Sequence, residues 1–84
     1  MTEAARPPNP ISERIATARA AAGYRQHAFA VKLGVHDSQV SRWEHGLTPR
    51  IDALRAIATL TDCSIDWLVT GEGREPSQSE PSAA

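Results

Sequence analysis

The chain has little that would support a secreted, membrane or catalytic reading. Its single cysteine, Cys63, cannot form an internal disulfide. No apolar run approaches the roughly 18 residues that a membrane span needs, and Met1 to Pro10 lacks the apolar segment of a secretory signal. The expectation is a protein of a reducing, cytoplasmic compartment with no membrane partner. Strand-like alternation and internal repeats are also missing, and the β-branched residues are scattered. Serine, histidine and aspartate are present, but without a nucleophile motif, a glycine-rich phosphate loop or a zinc-binding histidine pair, so no enzyme and no catalytic residue is expected. His27, His36 and His45 recur every nine residues, which does not place them on one helical face. No ligand motif links them to Cys63, so neither a metal nor a cofactor is expected.

What remains is a small all-helical pattern. The 84 residues have room for one domain with a modest core. Hydrophobic residues make up 40% and charged residues 23%, a balance close to that of soluble globular domains. Both ends, "MTEAARPPNP" and "REPSQSEPSAA", offer almost nothing apolar to bury. The expected organisation is a disordered arm over 1–9, a folded unit over 10–72 and a disordered tail over 73–84.

Helix signals punctuate the folded unit. Asn9 can cap a first helix from Pro10 to Ala22, with Ile11, Ile15, Ala18 and Ala22 as its apolar stripe and Gly23 as its stop. A second runs from Arg25 to Leu33 with Phe29, Ala30 and Leu33 inward, ended by Gly34. A third begins near Asp37 and stops at Gly46, with Val40 and Trp43 inward. Thr48 and Pro49 read as the cap and first turn of a fourth, whose stripe is Leu54, Ile57, Ala58 and Thr61. Ser64 caps a short fifth helix carrying Ile65, Trp67, Leu68 and Val69 to Gly71.

Charge is distributed unevenly along this pattern. The net charge of −1 argues at first against a nucleic-acid partner, because non-specific affinity comes largely from Lys and Arg on phosphates. Residues 23–50, however, carry Arg25, Lys32, Arg42 and Arg50 against Asp37 and Glu44, a balance of +2. Residues 51–84 carry Arg55 and Arg74 against Asp52, Asp62, Asp66, Glu72, Glu75 and Glu80, a balance of −4. The positive segment coincides with helices two and three.

Those two helices are each under three turns, and the short link containing Gly34 does not let them lie antiparallel. They must cross steeply, as in a helix-turn-helix. Ala30 suits the point of closest approach, and Gly34 can take positive φ at the turn. Phe29, Leu33, Val35, Val40 and Trp43 are apolar where the angle between the helices must be filled.

On the stretches "QHAFAVKLGV", "QVSRWEHGLTP", "LRAIATLT" and "SIDWLVTGEG", the segment from Ile11 to Glu72 resembles the phage repressor-like helix-turn-helix family of the Cro and C1, or xenobiotic-response-element, type. The resemblance implies a compact five-helix lambda-repressor-like domain that binds double-stranded operator DNA as a homodimer. It implies transcriptional control in the cytoplasm, on the nucleoid. Position by position, it implies base reading by Asp37, Ser38, Ser41 and Arg42. It also implies phosphate contacts from Gln26, which braces the reading helix as well, and from the loop Gly46 to Arg50. Gln39 lies alongside the reading positions. Arg19 and Glu44 match a charge pair tying the first helix to the third.

Side-chain chemistry agrees with much of this. Arg42 can take guanine O6 and N7 with two parallel donors, Asp37 can accept from cytosine N4, and Ser38 serves base or phosphate. Arg25, Gln26, Gln39, Thr48 and Arg50 are the expected phosphate-binding set. Glu44 would repel phosphate if free, which agrees with a pairing to Arg19 that fixes geometry more than it stabilises. Trp43 is core, and Cys63 a buried, inert thiol.

Two positions depart from the family pattern. Arg25 stands where relatives begin helix two with Thr or Ser, so a cap of about 1 kcal/mol is missing and a phosphate-directed charge is present instead. His36 stands where relatives cap helix three, so Asp37 either caps that helix or reads a base. The expected function is a sequence-specific regulator, a repressor on a palindromic operator. Ile65, Trp67 and Val69 are the expected dimer surface, and Trp67→Ala is expected to weaken dimerisation more than folding. The alternatives are an antitoxin whose acidic second half holds a basic toxin partner, and an interaction module that has lost DNA affinity.

Overall fold

Pro10 opens helix α1 (Pro10–Ala21), where its fixed φ suits the first turn and its missing N–H leaves no bond unmade. The alanine-rich body that follows is strong helix-forming sequence. The structure is a computed structural model that describes residues 10–76; the expected cap Asn9, the arm 1–9 and residues 77–84 of the tail lie outside the described residues. Four further helices follow: α2 (Gln26–Leu33), α3 (Asp37–Glu44), α4 (Ile51–Thr61) and α5 (Ile65–Thr70). The described residues contain no strand, and none of their helices is long and apolar enough to cross a membrane.

One core joins all five helices. Ile15 and Ala18 of α1, Phe29 and Ala30 of α2, Val40 and Trp43 of α3, Leu54, Ile57 and Ala58 of α4, and Trp67 and Leu68 of α5 are buried together with Cys63. Burying each large apolar side chain is favourable by about 2 kcal/mol. The inward faces of α2, α3 and α4 are those that helical spacing indicates. The α1 stripe needs a correction: Ser12 is buried beside Ile15 and Ala18, whereas Ile11 and Ala22 are half-covered. Ser12 tolerates the position because its hydroxyl donates to the Trp43 carbonyl, satisfying a group at the C-terminal end of α3.

The start of α4 differs from expectation. Helix α4 starts at Ile51, not at a Thr48–Pro49 cap, because Pro49 is buried and Arg50 is extended (φ −71°, ψ 165°). Arg50 holds the cap position without a side-chain cap bond, while its carbonyl accepts from Leu54 N–H at 2.9 Å. At the other end of α4, Asp62 is left-handed (φ 57°), a conformation aspartate tolerates better than most residues, and Cys63 N–H closes back on the Ala58 carbonyl at 3.0 Å.

Ser64 caps α5 as its type and position indicate, its Oγ accepting from Trp67 N–H at 3.0 Å. The ordered chain also runs beyond the expected boundary at residue 72. Arg74 N–H donates to the same Oγ at 3.2 Å, and the Arg74 carbonyl accepts from Ser64 N–H at 2.9 Å. Gly73 permits this return, since a Cβ there would lie 2.6 Å from Ser64 Oγ. Arg14 of α1 closes the far end of α5, its Nη1 donating to the Leu68 and Val69 carbonyls at 3.3 and 3.2 Å.

Trp67 requires the largest correction. It is 9% exposed and part of the common core, so its indole packs mainly within its own chain. A short helix at the edge of a small domain can carry its largest side chain inward because α1 and α4 both pack against it. On α5, Ile65 is half-covered and Val69 is 42% exposed.

Candidate nucleic-acid interface

The turn between α2 and α3 is built on Gly34. It adopts φ +75°, its N–H donates to the Val31 carbonyl at 3.1 Å, and Val35 N–H donates to the Ala30 carbonyl at 3.0 Å. Those two bonds close α2 in a left-handed cap and send the chain into α3 after two residues. Ala30 is fully buried, as close approach of the two helices demands.

Helix α3 is held by its inner face and by one charged corner. Val40 and Trp43 sit in the core. Arg19 of α1 reaches Glu44 through Nε at 2.6 Å and Nη2 at 3.2 Å, and donates through Nη1 to the Tyr24 carbonyl at 2.8 Å. Gln26 Nε2 donates to Glu44 Oε1 at 3.0 Å. The side chains of Arg19 and Glu44 are only 19% and 8% exposed, so this acid is turned away from the surface and ties α1, α2 and α3 at one point.

The remaining positions of α3 fall outward by helical spacing. Ser38 and Arg42 are exposed and Ser41 half-buried, and His45, one turn beyond Ser41, completes the same face. Gln39 sits at its edge. A cleft of about 410 Å³ opens beside it between α3 and the start of α4, bringing Ser38, Gln39 and Arg50 together with His36 and Asp52. Arg25 and Thr48 are exposed on the flanking turns.

Neither candidate caps α3. His36 occupies the cap position (φ −78°, ψ 151°) without a side-chain cap bond. Asp37 is the first helical residue, and both its carboxylate oxygens lie against His27 Nδ1 of α2, at 3.0 and 3.1 Å. No spacing rule links residues ten apart on two different helices, so the sequence carries no sign of this pair. His45 is different: its separation from Ser41 is a helical one and would have placed it on the outward face.

A family model described as helix-turn-helix matches residues 15–68. A solved structure of the P22 c2 repressor protein in complex with synthetic operator 9T, in the presence of Tl+, superposes with a TM-score of 0.70 at 31% identity, covering 76% of this chain and 98% of that chain. The chain belongs to the phage repressor-like helix-turn-helix family. Comparison with curated proteins gave no match. The family match begins at Ile15 and ends at Leu68, two fully buried residues, so it spans the common core and the whole of α2 and α3. Among the described residues, no group of three His, Cys, Asp or Glu side chains is placed to hold a metal ion.

Proposed function

We propose that the protein is a DNA-binding transcription regulator, a repressor that recognises a palindromic operator in double-stranded DNA as a homodimer. It is not an enzyme: its family and its structural relative, a repressor on operator DNA, are regulators. The observation that carries the reading is the division of α3 into two faces. One is locked by Val40, Trp43 and Glu44; the other presents Ser38, Ser41 and Arg42, groups that can bond base edges. In this reading Asp37 joins them at the start of the helix. Arg25, Gln26, Gln39, Thr48 and Arg50 surround the reading positions with phosphate-directed groups. Residues 23–50 carry the chain's positive balance of +2 on the same elements.

One helix of this length reads only a few base pairs, which is the reason for the dimer. Two copies on half-sites about 34–36 Å apart supply the missing specificity. The partly covered Ile65 and the exposed Val69 of α5 form the dimer surface in this proposal. Selection of bound sequences from a random DNA pool tests the reading. The expected result is a palindrome with half-sites one helical turn apart. Absence of any binding to duplex DNA at low salt overturns it.

A further inference from the structure

The interface described above leaves the three histidines without a role, and all of them lie on the helix-turn-helix. His27 is the second residue of α2, His36 precedes α3 and His45 follows it. Two of them share one bonding pattern. His27 Nδ1 contacts the Asp37 carboxylate at 3.0 and 3.1 Å, and the shortest contact of His45 Nδ1 is to the Ser41 carbonyl at 2.7 Å, with the Ser41 hydroxyl farther off at 3.5 Å. A carboxylate and a carbonyl only accept, so in each ring Nδ1 carries the proton. Nε2 is then the atom whose chemistry changes. It is a lone-pair acceptor in the neutral ring and a donor in the imidazolium.

Both rings are exposed, His27 with 75% of its side chain open to solvent. They flank the outward face of α3, His27 at its beginning through Asp37 and His45 at its end. A phosphate oxygen is an acceptor. It is repelled by the lone pair of a neutral Nε2 and bonded by the N–H of a protonated one. The geometry points to His27 and His45 as phosphate-contacting residues of the DNA interface, each making its contact only on taking up a proton, so that duplex DNA is bound more tightly as pH falls. This rests on the DNA-binding reading above.

The surrounding charges leave the histidines as the variable element. His27 faces Asp37 from α3, with Arg25 on the turn before its own helix. His45 lies beside Arg42, while Glu44 is turned inward to Arg19 and Gln26. His36 lines the cleft with Arg50 and Asp52 and shows no side-chain cap bond. Guanidinium groups and carboxylates as classes keep their charge across the range where imidazole titrates. Two added protons double the positive balance of residues 23–50 from +2 to +4, a large change for a chain whose net charge is −1.

The test is the affinity of the full chain for a mixed-sequence DNA duplex, measured by fluorescence anisotropy at constant low ionic strength from about pH 8 to about pH 6. Circular dichroism at each pH reports that the fold is intact. Because each linked proton contributes at most about tenfold per pH unit, the unaltered protein is expected to tighten by about tenfold or more across the range. Glutamine keeps a neutral donor in place of the ring, so the double variant His27→Gln, His45→Gln is expected to vary by less than about threefold and to bind at the upper pH at least as well as the unaltered protein. His36→Gln is expected to keep the full pH dependence. DNA binding with a pH-independent affinity, or a double variant that retains the pH dependence, overturns the inference and leaves the DNA-binding reading standing. No binding at any pH overturns both.

Discussion

Arg42 and Arg19 show how one residue type serves opposite purposes within the same domain. Arg42 is exposed on the outward face of α3, where its planar fork can meet a guanine edge. Arg42→Ala is expected to weaken operator binding by about 1–3 kcal/mol and to relax preference at one base pair, read by competition with single-base operator variants. Arg19 is largely buried against Glu44, and its removal would leave a carboxylate with little solvent and without its cationic partner, although Gln26 still donates to it. Arg19→Met is therefore expected to cost about 3 kcal/mol in urea unfolding, whereas Arg19→Met with Glu44→Met costs less, since no unpaired charge then remains. Cys63 illustrates burial acting on a titrating group. Desolvation is the main cause of a raised thiol pKa, offset in part by the bond with Thr61. The folded state thus holds the proton more tightly than the unfolded chain. Its contribution is complete below the ordinary thiol range and is lost as pH rises above that range through the raised folded-state value. Slow reaction with a thiol reagent at neutral pH, and a melting temperature that falls on alkaline titration, are the expected results; the alkaline fall disappears in Cys63→Ala.

At the scale of the element, the helix starts separate stability from function. The cap positions of α2, α3 and α4 are Arg25, His36 and Arg50, and none of the three makes a side-chain cap bond. Among α2 to α5, only α5, which lies away from α3, has a side-chain cap bond, from Ser64. Basic or titratable side chains thus occupy the very starts that border α3. Arg25→Ser is expected to stabilise the domain by about 1 kcal/mol through a new cap and to weaken DNA binding by removing a phosphate-directed charge. Calorimetry and a salt titration of DNA affinity read the two effects separately, and the salt slope should fall by about one. Helix α4 shows the limit of reading starts from residue types. Thr48 and Pro49 have the right chemistry for a cap and first turn, but Pro49 is buried and Arg50 extended, so the helix starts at Ile51.

For the whole molecule, the common core decides what each outer helix is free to do. Trp67 lies within that core, so Trp67→Ala is expected to cost about 3–5 kcal/mol and to unfold a domain of this size rather than to split a folded dimer. Thermal melting and sedimentation on the same sample distinguish the two outcomes, and a folded monomer would contradict the expectation. The five helices, the inward faces of α2 to α4 and the Ser64 cap were legible in the sequence, because helical spacing and cap chemistry are local properties. So were the outward positions Ser38, Ser41 and Arg42, which follow once Val40 and Trp43 are taken as inward. Burial of Ser12 was not, since its hydroxyl is satisfied by the Trp43 carbonyl 31 residues away. The direction of Trp67 depended on α1 and α4 arriving from other parts of the chain. The return of Arg74 to Ser64 depended on a fold-back that only Gly73 accommodates. The pairing of His27 with Asp37 depended on the crossing of two helices, which no local pattern reports. The sequence by itself determined where helices form and which side of each is apolar, because those depend on neighbours within about a turn. Only the tertiary structure decided which polar groups are bonded and which large side chains are spent on the core, because those partners meet only after the chain has closed.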